Sequence, residues 1–487
     1  MLGMKLKQLI LLLFLSVSLL SACGGGGSES SQQDEGQVLI SLTDAEGNFV
    51  TYTVDVLSIR LTRQDGTEVE TLPLNTRVDF AQYTEMTEFL TAASVPRGIY
   101  VKGSVILDYT NADIQVEDAM GASTPVAQIL DASGNPVTTL EVNINLAGRS
   151  ELPIAPGIPK NLMLDFDLEQ SHVVSLAEPV TITVDPLFIA EVDPQAPRIH
   201  RTRGPLRQVD VANSSFEIYI RPFYHRIRTG QRLFGSLQVL TNEETIFEID
   251  GISYQGNDGL MVLDNKVQFT AVIARGDLKF NPLRFEANEV YAGSSVPGGD
   301  LDVVRGTVTS RTVDDKIIVQ GATLFRTDGT IVFNDYVTIQ LDASTTVAKQ
   351  LEVGNFTIDD ISVGQRISVF GMITNDQLSD LQMSAVNGFA RMRISSVNGE
   401  VISLPDELNY LSLNLNSING RNISIYDFTG TGIDAGNDAD PAQYEVDTGS
   451  LSLANITVDD PVIVRGFPTA FATAPADFTA RTVMTSE

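Results

Sequence analysis

The sequence predicts an all-β protein: an N-terminal β-sandwich followed by about three small β-barrel modules, for which an OB-like barrel is the natural candidate. Three observations predict it. From Gln37 onward apolar residues alternate with polar ones, as at Val38, Ile40 and Leu42, which marks half-buried strands. The 38 glycines and 20 prolines supply turn signals between such runs, as a sandwich requires. Beyond residue 205 a fixed order of segments recurs at a period of roughly ninety residues, which suits tandem domains rather than solenoid turns.

Residues 1–22 stand outside that fold. Lys5 and Lys7 give a basic start, and Leu9 to Leu20 form an apolar run that ends in small residues. The run is about twelve residues against the ~20 needed to span a bilayer, so it is a secretory signal. Leu20-Ser21-Ala22-Cys23 resembles a bacterial lipobox. The resemblance implies cleavage behind Ala22 and a covalent diacylglyceryl group on Cys23, the lipid-attachment residue. Ordinary cleavage would put bulky Leu20 where a small residue is wanted. Gly24 stands where an aspartate would favour the inner membrane, so likeness to other lipoproteins points to the outer membrane. Residues 23–36, glycine-rich and polar, predict a flexible tether.

Residues 37–190 carry the sandwich. Tyr52, Val54 and Val56 alternate, the register shifts at Leu57, and Ile59 and Leu61 resume it. Apolar positions at Phe80, Tyr83, Met86, Phe89 and Leu90 predict a short helix over Phe80 to Ala93, stopped by Pro96. Strand patterns return at Tyr100–Leu107, Val126–Leu130, Val137–Leu146, Asn161–Leu168 and Val180–Val184. Asp165 and Asp167 alternate with Leu164, Phe166 and Leu168, which predicts a solvated strand face. The opening Leu39-Ile-Ser-Leu-Thr-Asp-Ala45, the step Val95-Pro-Arg-Gly-Ile-Tyr100, the strand Leu162 to Leu168 with Ser171, and the closing Val184-Asp-Pro-Leu-Phe188 occur in that order. Together they resemble an uncharacterised family of bacterial lipoprotein domains with a transthyretin-like (prealbumin-like) β-sandwich. That family implies a fold and an address but no catalytic residues.

Pro186, Pro194, Pro197 and Pro205 bracket a linker at 191–204. Three modules follow, at 205–302, 303–390 and 391–487. Each opens with a strand and turn: Leu206–Ile220, Arg305–Gln320 and Arg391–Leu404. Two then carry a polar step ending in threonine, at Asn242–Thr245 and Asp342–Thr345. All three pass through a strand ending in glycine, at Gly276, Gly371 and Gly466. Each closes on a strand containing alanine, at Ala287, Ala385 and Ala480. The stretch from Arg305 to Ala385 resembles a second uncharacterised family, small β-barrel modules of bacterial exported proteins, and the outer two copies diverge from it.

Composition bounds the function. With 487 residues, 43% hydrophobic and 19% charged, the chain can bury three or four cores and is no disordered tail. Its only cysteine goes to lipid, which leaves none for a disulfide or a thiolate metal site. Once Lys5 and Lys7 leave with the signal, 30 basic residues face 62 acidic ones. Such a surface repels nucleic acid, so no nucleic-acid partner is expected. The absence of tryptophan weakens a sugar-stacking reading. His172, His200 and His225 lie far apart, and no nucleophile elbow, His-Glu-x-x-His or phosphate-cradling loop is present.

Two constellations remain. Arg198, Arg201, Arg203, Arg207, Arg221, Arg226, Arg228 and Arg232 crowd a short stretch, with aromatics interleaved around His225. Arg221, His225, Arg226 and Arg228 are candidates either for an anion site or for ion pairs with the acidic sandwich, which would fix the angle between domains. Asp434, Asp438 and Asp440 gather carboxylates in a glycine-bearing loop, a weak calcium candidate because the spacing departs from the EF-hand pattern. No other cofactor is expected. The expected function is a lipid-anchored, non-enzymatic cell-envelope protein whose β-domains bind or space an extracytoplasmic partner, a glycan or a protein. The alternative is a carbohydrate-active enzyme or accessory subunit using carboxylates on a barrel face.

Overall fold

The structure, a computed structural model, describes residues 34–44, 49–83, 86–118, 123–146, 148, 151–194, 198–221, 234–280, 282–312, 314–405 and 410–485. It is all-β, a sandwich followed by small barrels. One layer of the sandwich runs Phe188–Val192, Lys160–Phe166, Glu35–Asp44, Thr87–Pro96. Glu35–Asp44 lies parallel to Lys160–Phe166 and antiparallel to Thr87–Pro96. The other layer is built on the long pair Phe49–Arg63 and Gly98–Glu117. The alternating residues meet between them: Val38, Ile40 and Leu42 from one layer, Tyr52, Val54 and Val56 from the other, all buried in one core. His172 belongs to that core, with Nε2 2.6 Å from the Tyr52 hydroxyl and Nδ1 2.8 Å from the Leu168 carbonyl oxygen.

Three sequence expectations fail in this part of the chain. The helix over Phe80 to Ala93 is a single 3-10 turn, Phe80–Gln82, followed by the strand Thr87–Pro96. Thr87 to Ala92 are buried in succession because this strand is covered on both faces, so polar Thr87, Glu88 and Thr91 lie buried beside Phe89 and Leu90 and no period of two marks the strand. Asp165 and Asp167 are not on a solvated face. Their strand sits inside the layer, Asp165 is half-buried, and buried Asp167 caps the next helical turn by accepting from the Gln170 N–H at 2.9 Å. Burial pushes the Asp165 carboxyl up, opposed by the Arg198 guanidinium. The linker at 191–204 ends in a strand, Ile199–Asp210, that pairs in parallel with Thr87–Pro96 and so carries the sandwich sheet into the first barrel. Pro205 removes one ladder donor beside a register shift and does not end the strand.

The three modules close by the same rule. In the first, the strands are Ile199–Asp210, Ser215–Tyr219, Ser236–Leu240, Ala271–Lys279 and Arg284–Ala292. The middle one uses Asp302–Arg311, Lys316–Phe325, Ile331–Gln340, Arg366–Asn375 and Leu381–Arg393. The last uses Ser395–Ser403, Tyr410–Ile418, Tyr444–Asp447, Pro461–Pro468 and Phe478–Thr485. In each, strand one pairs with two and four, two with three, four with five, and three runs parallel to five, which shuts a five-stranded ring. The middle barrel reaches to Arg393, past the expected boundary at 390. Its fifth strand is long because its later half also pairs with Thr346–Lys349.

The repeated residues are closure devices. Gly276, Gly371 and Gly466 each sit at a register shift where strand four crosses strand five. A Cβ there would run into the carbonyl oxygen of Glu286, Ser384 and Thr479 respectively. The threonines tie the loop after strand three to strand five. Thr245 and Thr345 donate to the carbonyls of Ala287 and Ala385 at 2.7 and 2.9 Å, and accept from the N–H of Asn242 and Asp342. Gly371→Ala is therefore expected to cost about 1–3 kcal/mol of barrel stability through overpacking against backbone. Gly299→Ala, whose Cβ meets nothing nearer than 4.0 Å, should stay within about 0.5 kcal/mol. Urea unfolding of both variants beside the wild type checks this.

Candidate functional site

Several residues singled out from the sequence lie outside the described residues: Cys23, His225, Arg226, Arg228 and Arg232. Arg221 is buried beside the first barrel, where its N–H donates to the Arg203 carbonyl at 2.7 Å. Burial pushes its guanidinium down. The acidic loop does not converge on a point. Asp434 Oδ1 accepts from the Gly436 N–H and Asn437 Nδ2, Asp438 Oδ1 from the Gly432 N–H, and Asp440 Oδ1 from the Ala442 N–H. Asp434 and Asp440 thus close their own turns, and Asp438 ties back across the loop. Among the described residues no group of three or more His, Cys, Asp or Glu side chains is placed to hold a metal ion.

The rest of the arginine stretch meets the sandwich. Arg201 and Arg203 alternate along the strand Ile199–Asp210, so both point to one face, and both put Nε on the Glu88 carboxylate of the paired strand. The Arg203–Glu88 distance is 2.6 Å. All three side chains are at most 6% exposed. Burial pushes the Glu88 carboxyl up, but the two guanidiniums outweigh it and hold it below the ordinary carboxylate value. The same device recurs at the other boundaries. Arg391 of the middle barrel forks onto Glu248 of the first, with Nε to Oε2 at 2.7 Å, and lies 3.9 Å over the Tyr291 ring. Arg421 of the last barrel reaches Glu117 of the sandwich at 3.1 Å and Asp335 of the middle barrel at 3.5 Å.

Beside that return contact lies a half-open cavity of about 510 Å³ between the sandwich and the barrels. Its walls carry Arg201, Arg305, Arg366, Arg393 and Arg421. Three carboxylates, Asp79, Glu117 and Glu169, line it as well, with exposed Glu169 and Gly420 at the rim. Backbone geometry delivers these arginines. Arg305 precedes a register shift in strand one, Arg366 opens strand four, and Arg393 ends strand five of the same barrel. Arg421 follows the turn at Asn419-Gly420, where both residues have positive φ. Arg393 is half-buried, and burial together with the charges of Arg275, Arg366 and Arg305 pushes its guanidinium well below the ordinary arginine value. Sequence reading missed this set because its members are spread from residue 201 to 421. Of the set only Arg305 carries a local mark, an Arg-Gly step at a barrel strand that residues 203, 275 and 465 share without lining the cavity.

The last barrel holds a buried carboxyl, Asp477. Burial pushes it up to about 7, the Glu445 N–H at 2.8 Å opposes this, and the charges of Glu445 and Asp440 add to it. Folding therefore takes up a proton between about pH 4 and 7, so the stability from this group is present below pH 4 and lost as pH rises through 7. Asp477→Asn should remove that loss, which is about 1.4 kcal/mol per unit of pH where the group alone titrates. The difference between variant and wild type across pH 4–8, followed by urea unfolding, isolates it. His172 and His200, both pushed down to about 4 by burial, act in the opposite sense in the two proteins alike. At the first boundary, Glu88→Gln is expected to cost on the order of 3–5 kcal/mol, since it strands two buried guanidiniums. Limited proteolysis should then cut between the sandwich and the first barrel, where the wild type resists.

Comparison with known proteins places little beside this geometry. No curated protein matches the chain. Among solved structures, MbnP from Methylosinus trichosporium is similar over 27% of this chain and 75% of its own, at 12% identity and a TM-score of 0.14. A protein of Parabacteroides distasonis ATCC 8503, provisionally named a cell adhesion protein, is similar over 74% of this chain and 98% of its own, at 8% identity and a TM-score of 0.15. Scores this low carry no argument about fold or activity. A family model described as a domain of unknown function (DUF4382) matches residues 35–182, the sandwich from its first strand to Ile182.

Proposed function

We propose that this is a lipid-anchored, non-enzymatic protein of the bacterial cell envelope, held at the outer membrane through Cys23, whose β-domains form one rigid body that binds or spaces an extracytoplasmic glycan or protein. The observation that carries the reading is the closure of the chain on itself. Arg421 meets Glu117 across 304 residues of sequence, and buried arginine–carboxylate contacts pin each boundary in between. A body fixed in this way holds its surfaces at set distances and angles, which suits a spacer or a receptor module. In this reading the sandwich is transthyretin-like and the barrels are OB-like. The strand order of the three rings supports the second assignment, and OB-type barrels are frequent ligand platforms.

Cys23→Ala tests the anchor. In cells fed labelled palmitate, the wild type should carry label and sediment with membranes, while the variant should lose both. Normal processing and membrane retention of Cys23→Ala would sink the anchoring reading.

A further inference from the structure

The protein carries a formal charge of −30, yet its interdomain cavity is lined by five arginines and three carboxylates. One of those carboxylates, Glu117, neutralises a cavity arginine, Arg421, which Asp335 also meets at 3.5 Å. Asp79 accepts from the Tyr52 N–H at 2.9 Å, and Glu169 sits exposed at the rim. Where this chain buries an arginine for structure it supplies a carboxylate, as Glu88 and Glu248 show. Within the cavity, Arg393 breaks that habit. Arg393 forms no ion pair among the described residues, and the charges around it are those of Arg275, Arg305 and Arg366. Arg201 spends Nε on Glu88, but its Nη2, on a side chain 4% exposed, has no hydrogen-bond partner.

A half-buried guanidinium among other cations is repelled and loses solvation, so Arg393 opposes folding unless an anion joins it. Guanidinium forks match oxyanions bidentately. The volume lies within the range of small-molecule sites and well beyond a single phosphate ion. The walls come from the sandwich and from the barrels and bring arginines of separate domains to one space, so a compact solute that several guanidiniums reach together fits it better than a polymer. We propose that the interdomain cavity binds a compact, multiply charged phosphate-bearing small molecule, held by Arg366 and Arg393 with Arg305 and Arg421 beside them. This goes beyond the anchoring reading and does not depend on the lipid.

The test uses the purified chain from residue 23 onward, titrated calorimetrically with pyrophosphate at constant ionic strength, with sodium chloride as the control. The expected result is saturable one-to-one binding that weakens steeply as salt rises. Arg393→Gln should weaken it at least tenfold and, by removing repulsion, raise the Tm of the ligand-free protein. Arg366→Gln repeats the test should the first variant fold poorly. Absence of saturable binding by the wild type, or unchanged affinity in the folded variants, would overturn the proposal. A lower Tm for ligand-free Arg393→Gln with affinity intact would assign Arg393 to structure and overturn it equally.

Discussion

Everything beyond the sandwich is placed by one buried carboxylate. Glu88 lies between Arg201 and Arg203 with essentially no solvent access, on a strand whose neighbour is the first strand of the next domain. Desolvating three charges is costly, and their mutual attraction offsets this only in a single geometry. The three together therefore specify an angle more than they add stability. Ring contacts support the same alignment: Phe89 stacks on His200 at 5.4 Å and meets Phe285 edge-on at 5.7 Å. Once that joint is set, Arg391 on Glu248 orients the second barrel and Arg421 on Glu117 brings the third back to the start.

The class of the fold was legible in the sequence, and so was the repeat. Strands show where one face is wet, because the alternation at Val38–Leu42 or Tyr52–Val56 reports that asymmetry directly. The recurring glycine was legible for a firmer reason: a ring of five strands needs a close crossing of the last two, and at that crossing only a residue without a side chain fits. The misreadings share a cause. At Thr87–Pro96 and Lys160–Phe166 both faces are covered, so the period vanishes or misleads. At 191–204 prolines imitated a linker although the following strand continues a sheet begun far upstream. Such long-range pairing leaves no local mark.

The candidate site was legible only in part. Crowded arginines in one stretch were visible, and Arg201 and Arg203 do meet the acidic sandwich. The cavity was not visible, since Arg305, Arg366, Arg393 and Arg421 come together only after the barrels close and the last one returns. Its excess of cations also runs against the charge of the whole chain, which the overall composition conceals. The acidic loop shows the reverse error. Asp434, Asp438 and Asp440 are close in sequence, but each takes a different backbone N–H of the loop.

The parallel pairing of Thr87–Pro96 with Ile199–Asp210 has a consequence for how the chain reaches its final state. On the proposed route of export from the N-terminus, residue 96 reaches the new compartment long before residue 199. Over that interval the sandwich has an open edge, a row of unpaired backbone donors and acceptors beside a charged carboxyl that awaits its cations. Open edges recruit other strands. The first barrel is thus both the next domain and the cap that ends this exposure. Order of emergence, as much as final geometry, explains why the arginines that meet Glu88 sit at the very start of the barrel, on the earliest strand able to cover it.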